Sequence, residues 1–326
     1  MRSNKLWVTW EKQQRNRSMS KSLNCELHEI ISEHRGFLRR YIKSSFATFM
    51  LYRKERPCVI FAQNPSLILA SISILYGKLT KTTVIIDAHN AGIKPFEGRI
   101  FILNLLADFI IREADLTIVT NELLAEYARS KNGRPVILPD PLPDLNCSNL
   151  VKSGARHKIK IFCISSWAID EPYIEVIAAG QYLDDNIEIF ITGNSKGKEL
   201  KYVHSIPGNV ILTGYLDDES YLNRLCDSDL AMVLTLRQDC MVCGAYEAIA
   251  AGVPVILSDT PALKSYFENN AIYTQNAAEE IALTINNAVK NLIALKISSE
   301  IAKDRVQMKW LRCKQDFDIQ VGELMP

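Results

Sequence analysis

The chain has 326 residues, of which 48% are hydrophobic, and this is enough apolar material for two ordinary hydrophobic cores. Lysine and arginine number 38 against 37 aspartates and glutamates, so no global charge favours a nucleic acid or another polyanion as a partner. Composition therefore excludes a disordered chain and predicts no nucleic-acid binding.

The N-terminal segment does not resemble a secretory signal. Its apolar stretch, Leu6 to Val8, is followed by Glu11 and Lys12 and is too short for a signal-peptide core. The longest apolar runs, 67–75 and 100–111, fall short of the roughly 20 residues that a membrane-spanning helix needs. We therefore expect a cytoplasmic protein with no helix across a membrane.

The eight cysteines are spread along the chain, which predicts reduced and mostly buried thiols rather than a disulfide framework. Only Cys240 and Cys243 have the spacing of a motif. A zinc site would need a second pair or nearby histidines, and a thioredoxin-like site would need the pair just after an early strand. We therefore expect neither a metal site nor a redox site.

In chain order, short apolar runs alternate with longer stretches of helical period, a pattern typical of parallel sheets covered by helices. In the first half, the predicted strands cover 6–10, 58–62, 83–87, 116–120 and 135–138. The predicted helices cover 36–54, 65–77, 97–113 and 121–131. Prolines at positions 139, 141 and 143 then stop both helix and sheet, so we expect a hinge there.

The alternation restarts after a polar stretch. The predicted strands of the second half cover 159–164, 187–192, 210–213, 230–234 and 253–257, and helix is expected from 276 almost to the end. The expected fold class is α/β, with two Rossmann-like domains whose parallel sheets face each other across a cleft. Ligands of such sheets bind where the carboxyl ends of the strands lead into helix N-termini.

The segment from Asp239 to Asp259 predicts an acidic loop, a helix that begins near Cys243, a turn at Gly252 and a further strand. Asp239 and Glu247 therefore bracket the N-terminus of a helix. Amide groups there can hold a diphosphate, and carboxylates can accept hydrogen bonds from sugar hydroxyls. The simpler alternative is that Glu247 only caps the helix and Gly252 forms an ordinary helix-to-strand turn.

This segment resembles the retaining glycosyltransferases of group 1 (family 4), which have the GT-B fold. Their signature is a glutamate, seven residues, a second glutamate and then Ala-x-Ala-x-Gly-x-Pro-Val-Ile. The chain matches from Glu247 onward and has Asp239 in the first position. The resemblance implies that Asp239 contacts the transferred sugar and that Glu247 contacts the nucleotide ribose. Cys240 and Val242 replace the usual glycines, so the sugar pocket must differ in detail.

The resemblance also implies a division of the chain. It predicts an acceptor-side domain at 1–143, a nucleotide-sugar-binding domain at 144–300, and a helix at 301–326 that returns to the first domain.

Further donor-binding residues are expected at the ends of neighbouring strands. Lys196 and Lys198 among them could neutralise the phosphates, and the alternative is that both lie in a solvated surface loop. The predicted donor-binding residues are Glu247, Cys243, Gly244, Ala245, Tyr246, Gly193, Asn194, Lys196, Lys198, Gly214, Tyr215 and Arg237. The arginine and lysine that the family usually has in the loop 165–172 are absent. Either Lys196, Lys198 or Arg237 replaces them, or Arg15 and Arg17 reach across the cleft, or donor binding is weak.

In the first domain, His89 follows a predicted strand, and its imidazole could donate a hydrogen bond to a sugar hydroxyl, as the family's first-domain histidine does. Asp239 and His89 are thus the predicted catalytic residues, with a structural role as the alternative for His89. The segment after the first strand lacks the family's glycines. It is interpreted as an acceptor or diphosphate loop with Glu11, Arg15 and Arg17.

A basic helix at 35–56 interleaves apolar residues with cations and could rest on an anionic membrane surface. A helix packed on the sheet with a solvated basic face is the alternative.

The resemblance implies transfer of a sugar from a nucleotide-sugar, with UDP favoured, to a saccharide or lipid-linked acceptor in polysaccharide or glycoconjugate synthesis. No cofactor or metal is expected, because helix N-termini and cations can stabilise the leaving phosphate. Retention by front-face attack is expected, since no carboxylate pair resembles that of a glycosidase. Two alternatives remain. One is a non-catalytic sugar-nucleotide-binding or partner subunit. The other is a dinucleotide-dependent oxidoreductase, but the chain has no G-x-G-x-x-G motif after any predicted strand.

Overall fold

The computed structural model describes residues 4–32, 36–64, 66–88, 90–145, 147, 158–196 and 205–324. The chain divides into two compact units. Unit 1 comprises Met1–Pro141 and Trp310–Pro326, and unit 2 comprises Leu142–Lys309. Within the described ranges, no helix is both long and apolar enough to span a membrane.

Unit 1 contains a six-stranded sheet. Its strands are β1 Lys5–Thr9, β2 Glu26–Glu29, β3 Val59–Asn64, β4 Thr83–Ala88, β5 Leu116–Val119 and β6 Pro135–Ile137. Their order across the sheet is β2-β1-β3-β4-β5-β6, and every neighbouring pair is parallel. The helices between them are α1 Gln14–Ser22, α2 Phe37–Glu55, α3 Leu67–Thr80, α4 Asn90–Ile93, α5 Phe101–Glu113 and α6 Glu122–Ser130.

Helices cover both faces of this sheet, which is why its central strands are almost uniformly apolar. On one face, Ile74 of α3 and Leu124 of α6 belong to a buried cluster with the strands. On the other face, Met19 of α1 packs in a cluster with Trp310 and Phe317 from the C-terminal end of the chain. The core of unit 1 is therefore completed by the last residues of the sequence.

Unit 2 also contains a six-stranded parallel sheet. Its strands are β7 Ile159–Cys163, β8 Ile187–Thr192, β9 Val210–Gly214, β10 Leu230–Val233, β11 Val255–Ser258 and β12 Ile272–Thr274, in the order β12-β11-β10-β7-β8-β9. Its helices are α7 Tyr173–Ala179, α8 Asp218–Cys226, α9 Cys243–Ala250, α10 Pro261–Phe267, α11 Ala278–Lys290 and the start of α12 Leu292–Leu324. Helix α12 belongs to both units, since Val306 lies in a core cluster of unit 2 and Val321 in one of unit 1.

The predicted α/β class with two parallel sheets is confirmed. Strands β2 and β12 and helix α1 were not predicted. Strands β2 and β12 lie at sheet edges, and β2 has the polar sequence Glu-Leu-His-Glu, so neither shows the apolar run of a central strand. The interpretation of the segment after β1 as a loop is wrong in part, because α1 begins at Gln14 and places Arg15 and Arg17 on a helix.

The prediction of reduced cysteines is corrected at one pair. Cys147 and Cys226 form a disulfide that joins residues 79 positions apart. Cys226 ends α8, and nothing local in the sequence links it to Cys147. Cys58 and Cys243 are exposed rather than buried.

Candidate functional site

The sheet of unit 2 has a topological switch point between β7 and β10. The chain proceeds from β7 to β8 and β9 on one side, and from β10 to β11 and β12 on the other. The connections that leave β7 and β10 therefore diverge, which opens a crevice at the carboxyl ends of these strands. The segments 164–172, after β7, and 234–242, after β10, border this edge of the sheet.

A carboxylate organises the loop after β7. Glu171 accepts hydrogen bonds from the hydroxyls of Ser165 and Ser166, both at 2.7 Å, and from the backbone N–H of Ser166 at 2.9 Å. Backbone amides and hydroxyls of this kind also suit a phosphate oxygen. The loop 165–172, which lacks the family's arginine and lysine, thus binds the carboxylate of its own Glu171.

Two glycines at the ends of β8 and β9 let these loops approach each other. Gly193 has φ +88°, and a Cβ there would lie 2.3 Å from the carbonyl oxygen of Ser165, so only glycine fits. Its N–H donates to the carbonyl of Gly214 at 3.0 Å. Trp167 is fully buried, has φ +61°, and donates through Nε1 to the carbonyl of Thr192 at 2.8 Å. Gly193 and Gly214 therefore shape this edge of the sheet.

The polar residues predicted beside these glycines lie at the surface. Asn194 is exposed, and its Oδ1 accepts from the backbone N–H of Lys196 at 3.0 Å, while the side chain of Lys196 is exposed. Tyr215 is 81% exposed, so its ring is accessible to a ligand. Lys198 lies outside the described residues.

Arg237 joins the two loops of the switch point. Its Nε lies 2.9 Å from Oδ2 of Asp170, and the N–H of its neighbour Leu236 donates to the carbonyl of Asp170 at 2.7 Å. The side chain of Arg237 is about one third exposed. The predicted phosphate-binding cation is therefore already engaged by a carboxylate of the same crevice.

Asp239 lies in the turn between β10 and α9 and is half-buried. Burial raises the pKa of the nearby Cys240 thiol to about 11; Arg237 opposes this rise, and the carboxylates of Asp170, Asp239 and Glu171 add to it. Arg237 and the three carboxylates therefore all lie near the Cys240 thiol. Asp239 is thus brought together with Arg237 at the switch point.

Helix α9 begins next to this cluster. Gly244 is buried, and a Cβ there would lie 3.0 Å from the side chain of Ile164, so the glycine lets the helix start pack against the end of β7. Ala245 and Tyr246 are buried, and the ring of Tyr246 packs against Phe267. Their side chains belong to the core, so only their backbone remains as a donor-binding group. Cys243 is exposed.

Glu247 lies in the second turn of α9 and is half-buried. Its Oε2 accepts a hydrogen bond from the hydroxyl of Tyr221 in α8. Tyr221 was not among the residues predicted from the sequence. A tyrosine on a surface helix is common, and no motif marks its contact with a residue 26 positions away.

The residues predicted in unit 1 have separate environments. Arg15 is buried and forms ion pairs with Asp87 and Asp140, so its guanidinium is occupied inside unit 1. Burial alone would lower the pKa of Arg15, but the two carboxylates outweigh it and raise that pKa. Arg17 is exposed and lies 3.4 Å from Glu29.

Glu11 is exposed, and its carboxylate accepts from the side-chain amide of Gln13 at 2.8 Å. His89 lies outside the described residues. Among the residues that are described, no group of three or more His, Cys, Asp or Glu side chains is placed to hold a metal ion.

Two parallel α/β units, the second with a carboxylate-bearing helix at its switch point, define the GT-B class of fold. Residues 157–305 match the family model described as glycosyl transferases group 1. Residues 157–305 therefore carry a glycosyl transferase domain.

Solved structures support the same architecture. Sucrose-phosphate synthase from Thermosynechococcus elongatus superimposes with a TM-score of 0.71 at 15% identity, covering 93% of this chain and 84% of that one. Anabaena HepE in complex with UDP-glucose gives 0.72 at 11% identity, covering 98% and 99%. A glycosyltransferase from Rickettsia africae gives 0.67 at 13% identity, covering 97% and 89%. Comparison with curated protein sequences finds no match.

Proposed function

We propose that the chain transfers a sugar from a nucleoside diphosphate donor, with UDP favoured, to a saccharide or lipid-linked acceptor in polysaccharide or glycoconjugate synthesis. The observation that carries this function is the position of Glu247 on α9, beside the switch point of a group 1 glycosyl transferase domain. The UDP-glucose complex of Anabaena HepE, which has the same fold, supports UDP as the nucleotide.

In this function, Glu247 accepts hydrogen bonds from the donor ribose, and Asp239 contacts the transferred sugar. The first amides of α9, at Cys243 and Gly244, bind the diphosphate, because a helix N-terminus carries partial positive charge. The exposed ring of Tyr215 contacts the base. Gly193 and Gly214 supply the close loop packing beside it.

The chemistry required is stabilisation of the leaving diphosphate as its bond to the anomeric carbon breaks. The α9 amides, together with Arg237, would supply this as fixed dipoles and charge, without a metal ion. We favour retention of configuration by front-face attack, with the leaving phosphate accepting the proton of the acceptor hydroxyl. His89 and Lys198 stay predicted donor contacts, and Arg15 takes a structural role because its ion pairs are internal to unit 1.

The surface of unit 1 supports the proposal of a lipid-linked acceptor. The connections through α2, α3 and α5 run in one direction across the sheet, so these helices cover one face, and α3 packs against both α2 and α5. Their outer sides expose large apolar residues: Leu38, Ile42, Phe46 and Met50 of α2, Leu75 and Leu79 of α3, and Phe101, Ile102 and Leu105 of α5. We call these residues the apolar surface of unit 1.

The occupant favoured for this surface is an anionic lipid bilayer at the inner face of the plasma membrane. Helix α2 carries five cations, Arg39, Arg40, Lys43, Arg53 and Lys54, all exposed, and one anion, Glu55. Exposed apolar side chains among cations suit an interface of anionic headgroups. A second copy related by twofold symmetry would instead bring the same cations together.

Two observations favour a second candidate, a non-catalytic sugar-nucleotide-binding or partner subunit. The loop after β7 presents Glu171 where related enzymes carry cations, and the first acid of the motif is the shorter Asp239. A subunit of this kind would bind a nucleotide-sugar without turning it over.

A thermal-shift screen with UDP, GDP, ADP and their glucose conjugates tests the donor site, because a ligand that binds only the folded state raises the melting temperature. We expect a rise with UDP and UDP-glucose that Glu247→Ala abolishes. The matched control is Glu279→Ala, which removes another carboxylate hydrogen-bonded to a tyrosine. An undiminished shift in Glu247→Ala contradicts the ribose contact. Binding without sugar transfer or donor hydrolysis favours the non-catalytic subunit.

A further inference from the structure

Contacts within the protein hold Tyr221 in a fixed position. It lies in the first turns of α8, whose N-terminus is capped by the Asp217 side chain through a 2.8 Å bond from the N–H of Ser220. The Tyr221 ring packs edge-on against the buried Phe162 of β7, with 5.4 Å between ring centroids. Its hydroxyl therefore has a defined position relative to the sheet.

That hydroxyl donates to Oε2 of Glu247, the carboxylate on α9. Burial raises the pKa of Tyr221, and the charge of Glu247 raises it further. The hydroxyl therefore keeps its proton across the physiological range and remains a donor. The bond joins α8, which follows β9, to α9, which follows β10.

A carboxylate offers about four lone-pair positions on two oxygens. One hydrogen bond from a half-buried phenol restricts the rotamer and the plane of the carboxylate without exhausting its capacity. A flexible glutamate would otherwise lose side-chain entropy when it orders on a ligand. A fixed donor beside Glu247 therefore reduces the entropy lost on binding.

We infer that Tyr221 is a positioning residue for the donor nucleotide, holding Glu247 in the orientation in which it accepts hydrogen bonds from the ribose hydroxyls. This rests on the donor role of Glu247 proposed above. Tyr221 acts through Glu247, so its effect belongs to binding: the donor KM rises on its loss while kcat changes little.

The test compares Tyr221→Phe with wild type. Phenylalanine keeps the ring on Phe162 and deletes only the hydroxyl. The control is Tyr182→Phe, which removes a hydroxyl that donates to Glu279 at 2.9 Å elsewhere in unit 2. Dissociation constants for UDP and for 2′,3′-dideoxy-UDP are measured by calorimetry, because only UDP offers the two ribose hydroxyls.

Wild type is expected to bind UDP more tightly than the dideoxy analogue. Tyr221→Phe should weaken UDP binding about tenfold, leave the analogue nearly unchanged and so narrow the preference. Tyr182→Phe should preserve the preference. In a double-mutant cycle, adding Tyr221→Phe to Glu247→Gln should change UDP binding much less than it does in wild type.

An unchanged preference in Tyr221→Phe overturns the positioning role, and so does an equal loss for both ligands, which would indicate a general effect on the fold. If Tyr221→Phe does not fold, Tyr221→His takes its place, and an unchanged UDP preference in that variant is equally contrary. If the wild-type protein binds none of the nucleoside diphosphates, the proposed function itself is contradicted. That result differs from one in which wild type binds UDP and only the predicted change in Tyr221→Phe is missing.

Discussion

The guanidinium of Arg15 meets the carboxylate of Asp87 edge to edge, with Nη2 2.6 Å from Oδ1 and Nε 3.1 Å from Oδ2. Both side chains are buried, and the same guanidinium also pairs with Asp140, three residues beyond the end of β6. A two-point contact of this kind fixes geometry as well as charge. It ties α1 to the carboxyl ends of β4 and β6.

Loss of Arg15 should therefore be costly for unit 1. Arg15→Ala leaves Asp87 buried without its counter-charge, and we expect a loss of about 3–5 kcal/mol in the free energy of unfolding. Urea denaturation followed by circular dichroism measures it. The matched control is Arg17→Ala on the same helix, whose exposed ion pair with Glu29 should contribute little. Equal stability of the two variants contradicts the role assigned to Arg15.

Three glycine variants separate backbone strain from steric contact in unit 2. Gly193→Ala should lose about 3 kcal/mol, because the residue has φ +88° and its new Cβ would meet the carbonyl of Ser165. Gly214→Ala, with φ +73° but open space around the Cβ position, should lose about 1 kcal/mol. Gly208→Ala has neither problem and should stay within about 0.5 kcal/mol of wild type. Urea titration of all three checks the order, and a mild Gly193→Ala would refute the close approach of the two loops.

Cys240 predicts a stability loss at alkaline pH. Its pKa is raised from 9.0 to about 11 in the folded chain. Between these values the unfolded chain loses the thiol proton and the folded chain keeps it. Stability from this group is therefore complete below pH 9.0 and declines as the pH rises toward 11. Cys240→Ala should remove up to about 2 kcal/mol of that decline, measured by urea denaturation at several pH values. The control is Cys58→Ala, which removes an exposed thiol. Identical pH profiles of stability for wild type and Cys240→Ala would contradict the role of Cys240 in the alkaline decline.

The apolar surface of unit 1 predicts binding to phosphatidylglycerol vesicles and weak binding to phosphatidylcholine vesicles. Replacing both Ile42 and Phe46 by aspartate should reduce the amount of protein that sediments with phosphatidylglycerol vesicles by about tenfold. The reason is that two apolar contacts are lost and two negative charges are added. The control replaces Leu283 and Ile297, two exposed apolar residues of unit 2, by aspartate. Added salt should weaken binding by the wild type. Equal binding by the two double variants, or a stable dimer of wild type without lipid, speaks against the bilayer.

The central strands could be predicted from sequence because a parallel strand covered on both faces is a nearly continuous apolar run, as in β3 and β4. Edge strands β2 and β12 lack that run and were missed. The helix α9 and its Glu247 followed from a local motif. The partners of Arg15 and of Glu247 could not be predicted, since these contacts join residues 72 and 26 positions apart. A cation on a polar segment has the same appearance in sequence whether it binds a ligand or a buried carboxylate.

The path of α12 has a consequence for biosynthesis. Trp310, Phe317 and Val321 belong to the buried cluster of unit 1, yet they leave the ribosome only after the whole of unit 2 has been synthesised. The Nε1–H group of Trp310 also donates to the carbonyl of Pro139 at 3.0 Å. The first 141 residues must therefore wait, with one face of their sheet incompletely covered, until residues 310–321 have been synthesised. Nascent chains stalled before Trp310 should be more sensitive to protease in β1 and β3 than chains that extend past Val321.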